Sequence, residues 1–339
     1  MPITKAVQKL EAYVPGEQPK IKGIVKLNTN ENPYPPSPRC AKALAAFDLD
    51  RLRRYPDPVF AELRKALAVL NATGPENVFI GNGSDEVLAV AAKTFVEDGE
   101  KIGSLDPSYS LYKTLADIRG VPWKGFPLPE AKAAEKENVS LFLWTNPNAP
   151  TGEFVSKRKI SAFAGKFRGV VIVDEAYADF AEENCMELAA RRGNRNVIVM
   201  RTFSKSYSLA GLRVGYCVGP ADLIGAMYKV KDSYNVDAVA QSVALAAVKD
   251  QRWMRRNAAK IVKTRAWFVS ELESRGWDVL PSQANFVFAR PPAGNAAEIF
   301  ERLKKRRIFV RYFSGAKTAE RLRITIGTDA EMKKILKFI

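Results

Sequence analysis

The sequence predicts an α/β protein: a large domain with a mainly parallel sheet covered by helices, then a smaller α+β domain. Two observations carry that reading. Between residues 78 and 218, short apolar stretches alternate with helical segments or turns, and most are too apolar to leave one face in water. After about residue 220 the pattern becomes mostly helical, with short strand-like stretches returning near the C-terminus. A length of 339 residues suits one large or two moderate domains.

Residues 1–36 read as an arm packing with the small domain. Its run Asn28-Thr29-Asn30-Glu31-Asn32-Pro33-Tyr34-Pro35-Pro36 is too proline-dense for a helix interior. Residues 37–232 form the large domain. Its expected strands are Val78-Phe79-Ile80, Lys101–Leu105, Ser140–Thr145, Val170–Asp174, Val197–Thr202 and Val214–Val218, and a helical run spans Asp85–Val96. Residues 233–339 form the small domain. Helices are expected over Ala238–Val248, 251–275 and 295–306, strands over Asn285–Ala289, 308–312 and 321–326, and a helix at the close.

Composition narrows the chemistry before any motif is read. The chain has no histidine. A Ser-His-Asp triad, a Cys-His pair, a histidine metal site and an imidazole base are all excluded. Lys, Tyr, Cys, carboxylates or a cofactor must do the work. Three widely spaced cysteines, Cys40, Cys185 and Cys217, read as structural thiols of a reduced, cytoplasmic protein. No apolar run approaches the ~20 residues that span a bilayer. The opening Met1-Pro2-Ile3-Thr4-Lys5 lacks a signal-peptide core, so no membrane partner is expected. Of the net +16, residues 201–339 carry +14, with 26 basic and 12 acidic side chains. Such a surface fits nucleic acid, a small anionic ligand or plain solvated helix faces. No helix-turn-helix or zinc module accompanies it, so nucleic acid is not expected.

The richest segment runs from Arg201 to Tyr216. It follows an apolar strand and sets Thr202, Ser204, Ser206 and Ser208 around Lys205, with Arg213 eight residues on. A lysine in such surroundings can take a lowered pKa and form a Schiff base, while Thr202, Ser204 and Arg213 hold a phosphate. Asp174 closes a buried strand, where open α/β sheets bind ligands. A carboxylate there can keep a pyridine nitrogen protonated. Gly81-Asn82-Gly83-Ser84-Asp85 leads a strand into a helix start suited to phosphate, although Ser84 can equally be an N-cap.

This ordered set resembles the aspartate-aminotransferase-like enzymes, the fold type I pyridoxal phosphate (PLP)-dependent transferases. Within their class II aminotransferases it is similar to the histidinol-phosphate aminotransferases. The likeness runs from Leu27-Asn28-Thr29-Asn30-Glu31-Asn32-Pro33-Tyr34 to Leu322-Arg323-Ile324-Thr325-Ile326-Gly327-Thr328. Arg54-Tyr55-Pro56-Asp57-Pro58, Tyr234-Asn235-Val236 and Val310-Arg311-Tyr312-Phe313 carry the narrower branch.

The resemblance implies a role for each matching residue. Lys205 forms the Schiff base with PLP and shuttles the proton. Asp174 pairs with the pyridine nitrogen, Tyr177 with the ring 3′-oxygen, and Tyr109 stacks on the ring. Gly83, Ser84, Asp85, Thr202, Ser204 and Arg213 hold the phosphate. Tyr55 reaches the neighbouring subunit's phosphate, which implies a homodimer. Arg323 grips the substrate carboxylate. One departure stands out: the family's asparagine before Pro-Thr-Gly is Ala149 here. Either Asn148 takes that contact through a shifted loop, or Tyr177 carries it with another neighbour.

The implied reaction is imidazole acetol phosphate with L-glutamate, giving L-histidinol phosphate and 2-oxoglutarate. A site that takes both a carboxylate and a phosphate dianion suits two guanidinium forks better than one. Arg311 is the second candidate, a strand-edge charge being the alternative. Asn32 is a candidate contact to the imidazole. Aromatic-amino-acid transamination and threonine-phosphate decarboxylation use the same constellation and remain alternatives.

Overall fold

The computed structural model describes residues 16–190 and 195–339, together with residues 3, 7, 8 and 10. Apart from Ile3, the Met1–Lys5 opening lies outside the described residues. The arm enters through a two-residue strand, β1 (Val25–Lys26).

Seven strands build the main sheet: β2 (Val78–Gly81), β3 (Lys101–Leu105), β4 (Trp123–Phe126), β5 (Val139–Thr145), β6 (Val170–Asp174), β7 (Val197–Thr202) and β8 (Gly215–Val218). Their spatial order is β2-β8-β7-β6-β5-β3-β4. Every pairing is parallel except those of β8, which runs antiparallel to both neighbours. The sheet is therefore mainly parallel, as expected. Alternate side chains explain the apolar runs. Val171, Val173, Val197 and Val199 pack into one core layer, while Ile172, Ile198, Met200, Leu141 and Leu143 pack into the other. Each such side chain, fully buried, contributes about 1.5–3 kcal/mol. Helix Gly83–Phe95 closes the second layer with Val87, Leu88 and Ala91.

Strand β4 has no counterpart among the sequence expectations. It is an edge strand paired on one side only, and of its Trp-Lys-Gly-Phe sequence only Phe126 is buried. An edge needs no continuous apolar run, so the pattern that marks the inner strands is missing.

A second, antiparallel sheet has the order β12-β13-β10-β9, from β9 (Asp278–Val279), β10 (Phe286–Arg290), β12 (Arg311–Tyr312) and β13 (Leu322–Thr325). The segment expected as one strand over 308–312 divides at Val310. Its first half, β11 (Ile308–Phe309), pairs in parallel with β1, and its second half joins β13. Leu27 N–H continues that first pairing to the Phe309 carbonyl, and Thr325 N–H donates to the Leu27 carbonyl. The arm is thereby laced to the C-terminal sheet.

The two sheets lie on either side of residue 233, where we place the domain boundary. Helix Ala238–Val248 nevertheless packs on helices Pro38–Ala45 and Ala61–Leu70 across it. The three cysteines are buried and unpaired. No described helix is long and apolar enough to cross a membrane.

Candidate active site

The carboxyl ends of β5, β6 and β7 and the start of the antiparallel β8 converge at one edge of the main sheet. Asp174 ends β6 and is buried. Its Oδ1 accepts from Ala176 N–H at 3.1 Å and its Oδ2 from the Tyr112 hydroxyl at 2.7 Å. Tyr112 in turn lies 2.5 Å from Thr145 Oγ1, at the end of β5. Burial pushes the Asp174 carboxyl up to about 6, against the pull of the Tyr112 hydrogen bond. An acceptor held here is poised to share a proton with a cationic ring nitrogen.

Lys205 follows β7. Its Nζ donates to the Thr29 carbonyl at 3.0 Å and stands 5.9 Å from the centre of the Tyr177 ring. Burial, reinforced by the Arg323 charge, brings its ammonium down to about 8. The loop that carries Lys205 is braced from two sides. Asn32 Nδ2 donates to the carbonyls of Lys205 and Ser206, each at 3.1 Å. Ser206 Oγ donates to Asp179, which also receives Arg201 Nη1 at 2.8 Å. Arg201 Nη2 lies 2.7 Å from the fully buried Glu175 carboxylate.

The turn after β2 forms an anion cradle. No side chain caps helix Gly83–Phe95, which leaves its first backbone N–H groups to meet an anion. Gly83 has φ +80°, and a Cβ there would stand 2.5 Å from Arg213 Nη2. At Gly215 a Cβ would come within 2.4 Å of the Ser84 nitrogen, so β8 can approach the helix start only with glycine. Arg213 Nη2 binds Asp85 Oδ2 at 3.2 Å, and its Nη1 reaches Ser204 Oγ at 3.5 Å. Thr202 Oγ1 and Ser204 Oγ are 3.0 Å apart. Tyr109 lies at 5.7 Å edge-on to Tyr112, its hydroxyl 3.4 Å from Asp85 Oδ1. The Asp85 carboxylate, being an anion, holds Arg213 and leaves only the residue's backbone N–H as a donor that a phosphate could use.

Comparison with known proteins agrees with this geometry. Residues 22–339 match the family model described as aminotransferase class I and II. The chain belongs to that family. A Syntrophotalea carbinolica relative named histidinol-phosphate aminotransferase is 45% identical, with 99% of this chain and 97% of the relative covered. The crystal structure of histidinol-phosphate aminotransferase from Sinorhizobium meliloti, in complex with pyridoxal-5′-phosphate, superposes with a TM-score of 0.90. It is 27% identical and covers 99% of this chain and 96% of that one. The L-threonine-O-3-phosphate decarboxylase structure from Porphyromonas gingivalis has a TM-score of 0.82 at 22% identity, covering 93% of this chain and 98% of that one. That third likeness concerns the fold alone.

In this aminotransferase the donor set fits a pyridine-phosphate cofactor. A buried acceptor stands at one strand end, a lysine with a lowered pKa at the next, and a glycine-lined helix start beside a guanidinium lies across from them. The C-terminal sheet adds two cations. Arg311 and Arg323 are directly opposite in the β12–β13 register, and both guanidinium groups lie 5.3 Å from the centre of the Phe313 ring. Like charges placed opposite each other oppose strand pairing. Arg323 Nη2 also donates to the Asn28 carbonyl at 3.1 Å.

Three expected site residues sit differently from the rest. Asn148 uses its amide to tie its loop to the one after β3: Oδ1 accepts from Ser108 Oγ, and Nδ2 donates to the Pro107 carbonyl and to Thr151 Oγ1, at 2.9–3.0 Å. Asn32 braces the Lys205 loop as described, and its Oδ1 accepts from Tyr34 N–H at 3.0 Å. Tyr55 lies on the outside of the chain, 80% exposed, stacked at 4.4 Å on Tyr234. Sequence reasoning passed over Tyr112 and Asn30. Tyr112 stands one helical turn after Tyr109, which is a readable signal. Asn30 lies within the Asn-rich arm, where nothing in the pattern singles it out.

Proposed function

We propose that this aminotransferase is a PLP-dependent histidinol-phosphate aminotransferase: imidazole acetol phosphate and L-glutamate give L-histidinol phosphate and 2-oxoglutarate. The opposed pair Arg311 and Arg323 carries the substrate reading. Glutamate presents a carboxylate where histidinol phosphate presents a phosphate ester, and two guanidinium groups beside one ring can serve both. The names of the near relatives support the same substrates.

Gly83, Ser84, the Asp85 backbone, Thr202, Ser204 and Arg213 hold the cofactor phosphate. Asp174 holds a proton at the ring nitrogen, Tyr177 faces the ring 3′-oxygen and Tyr109 stacks on the ring. Bound PLP supplies the carbonyl that takes up the amino group and the electron sink that stabilises the carbanion. Lys205 Nζ is the covalent anchor and the base. With a pKa of about 8 it is partly neutral near pH 7, so it can take a proton from the substrate Cα and return it. No histidine is needed for either transfer.

The assembly is a cytoplasmic homodimer. Leu44, Leu49, Leu52, Tyr55, Val59 and Val69 are all exposed large apolar side chains within residues 44–69. A second copy covers them, and Tyr55 enters that copy's site.

The test is to titrate the PLP-loaded protein with glutamate, then imidazole acetol phosphate, while following the visible absorption band. Glutamate should bleach the band and the phosphate ketone should restore it. Restoration by phenylpyruvate in preference to the phosphate ketone, or release of CO₂ from threonine phosphate, would replace this substrate assignment. An active Lys205→Ala protein would overturn the role of Lys205.

A further inference from the structure

Asn30 is a non-glycine residue with φ +56°, and it is buried at 1% exposure. A backbone conformation that side chains rarely adopt, in a position closed to water, calls for a compensating role. Its hydrogen bonds supply one. Asn30 N–H donates to Thr325 Oγ1 at 3.1 Å, Thr325 Oγ1 lies 3.1 Å from Asn30 Oδ1, and Asn30 Nδ2 lies 3.0 Å from the Tyr177 hydroxyl. The Asn30 carbonyl accepts from Asn285 Nδ2 at 3.0 Å, which fixes the backbone of the same residue.

The first link and the orientation of the Asn30 amide together set the direction of each proton in this chain. A backbone N–H can only donate, so Thr325 Oγ1 is an acceptor toward it. The Thr325 hydroxyl proton then goes to Asn30 Oδ1. The amide is thereby oriented with Nδ2 toward Tyr177, and the phenol oxygen is the acceptor on that side. Tyr177 has one proton, so its own O–H must point away from the arm. The opposite amide orientation would aim two N–H donors at Thr325 Oγ1, strand its hydroxyl proton and draw the Tyr177 proton into the arm.

We propose that Asn30 is a positioning residue that turns the Tyr177 hydroxyl proton toward the cofactor's 3′-oxygen. This rests on the placement of Tyr177 at that oxygen given above. It answers the departure at Ala149: the neighbour that completes the contact comes from the arm, while Asn148 is engaged with Pro107, Ser108 and Thr151. Thr325 shares β13 with Arg323, two residues away and therefore on the same face. One strand then fixes both the substrate anion and the phenol that steers the cofactor.

The experiment is a pH titration of the visible band of the PLP-loaded protein for Tyr177→Phe, Asn30→Ala, Asn30→Asp and the double variant Tyr177→Phe/Asn30→Ala. PLP dissociation constants are measured alongside. A donor at the 3′-oxygen favours the deprotonated chromophore, so Tyr177→Phe should raise its midpoint. Asn30→Asp keeps the size but only accepts when ionised. It should pull the phenol proton into the arm and raise the midpoint nearly as far. Asn30→Ala should raise it less and weaken PLP binding several-fold, and the double variant should match Tyr177→Phe. If Tyr177→Phe leaves the midpoint unmoved, the placement of Tyr177 fails. If Tyr177→Phe shifts it and a folded Asn30→Asp does not, or the double variant adds the two shifts, the role of Asn30 fails. Should Asn30→Ala not fold, the near-isosteric Asp variant decides the question alone.

Discussion

Asp174 is ionised at neutral pH against the cost of leaving water, and without cofactor nothing cationic repays it. The sign of the pH dependence follows. A carboxyl whose folded pKa rises from 3.8 to about 6 adds stability that is full below pH 4 and lost as pH rises through 6. Asp174→Asn has no such loss. In cofactor-free protein, urea unfolding should therefore move in the variant's favour between pH 4 and pH 7, by up to ~3 kcal/mol. A difference that stays flat with pH would show that the carboxyl is not desolvated. The two arginines separate by substrate. Arg311→Ala should raise KM for the phosphate ester about 10- to 100-fold and that for glutamate less, whereas Arg323→Ala should impair both, as the loss of a charge-assisted bond predicts. An unchanged KM for both substrates in Arg311→Ala would return it to a strand-edge charge. Motif spacing made Lys205, Asp174 and Arg213 readable because each sits at a strand end or shortly after one. Asn30 was not readable, and the spacing of Tyr112 from Tyr109 does not disclose its partner. The importance of both lies in hydrogen bonds to residues 295 and 62 positions away, which no local pattern records.

At the scale of elements, the anion cradle depends on how closely β8 approaches the start of helix Gly83–Phe95. Gly215→Ala puts a methyl carbon against the backbone of Ser84, which cannot swing aside as a side chain can. The helix start must retreat, and PLP affinity should fall at least ~10-fold with a lower melting temperature, since overpacking costs about 1–3 kcal/mol. Gly83→Ala meets the movable Arg213 guanidinium instead but also carries φ +80°, so it should lose affinity through displacement of Arg213. Isothermal titration with PLP distinguishes both from silent substitutions. Unchanged affinity in Gly215→Ala would mean that the helix start does not hold the phosphate. The inner strands were legible because parallel strands buried on both faces must be apolar along their length. Edge strand β4 escaped that logic. The division at Val310 escaped it too, because its cause is the pairing of β11 with a distant arm.

For the molecule as a whole, the exposed apolar residues around Tyr55 are where the proposed homodimer is tested. Sedimentation should give a dimer, and Leu49→Asp/Leu52→Asp should yield monomers with weakened PLP binding. Mixing inactive Tyr55→Ala and Lys205→Ala proteins should restore part of the activity, because a hybrid dimer contains one site with both residues intact. No recovery after demonstrated subunit exchange would place Tyr55 outside the partner's site. The lacing of the arm has a separate consequence, in the order of synthesis. Residues 25–30 leave the ribosome long before Ile308, Phe309 and Thr325, with which they pair. Contacts of such long sequence separation form late in folding. The nascent chain can assemble the main sheet early, but the arm carbonyls that receive Lys205 and Arg323 take their places only once β11 and β13 have been made. Cofactor capture should accordingly wait for the C-terminal sheet.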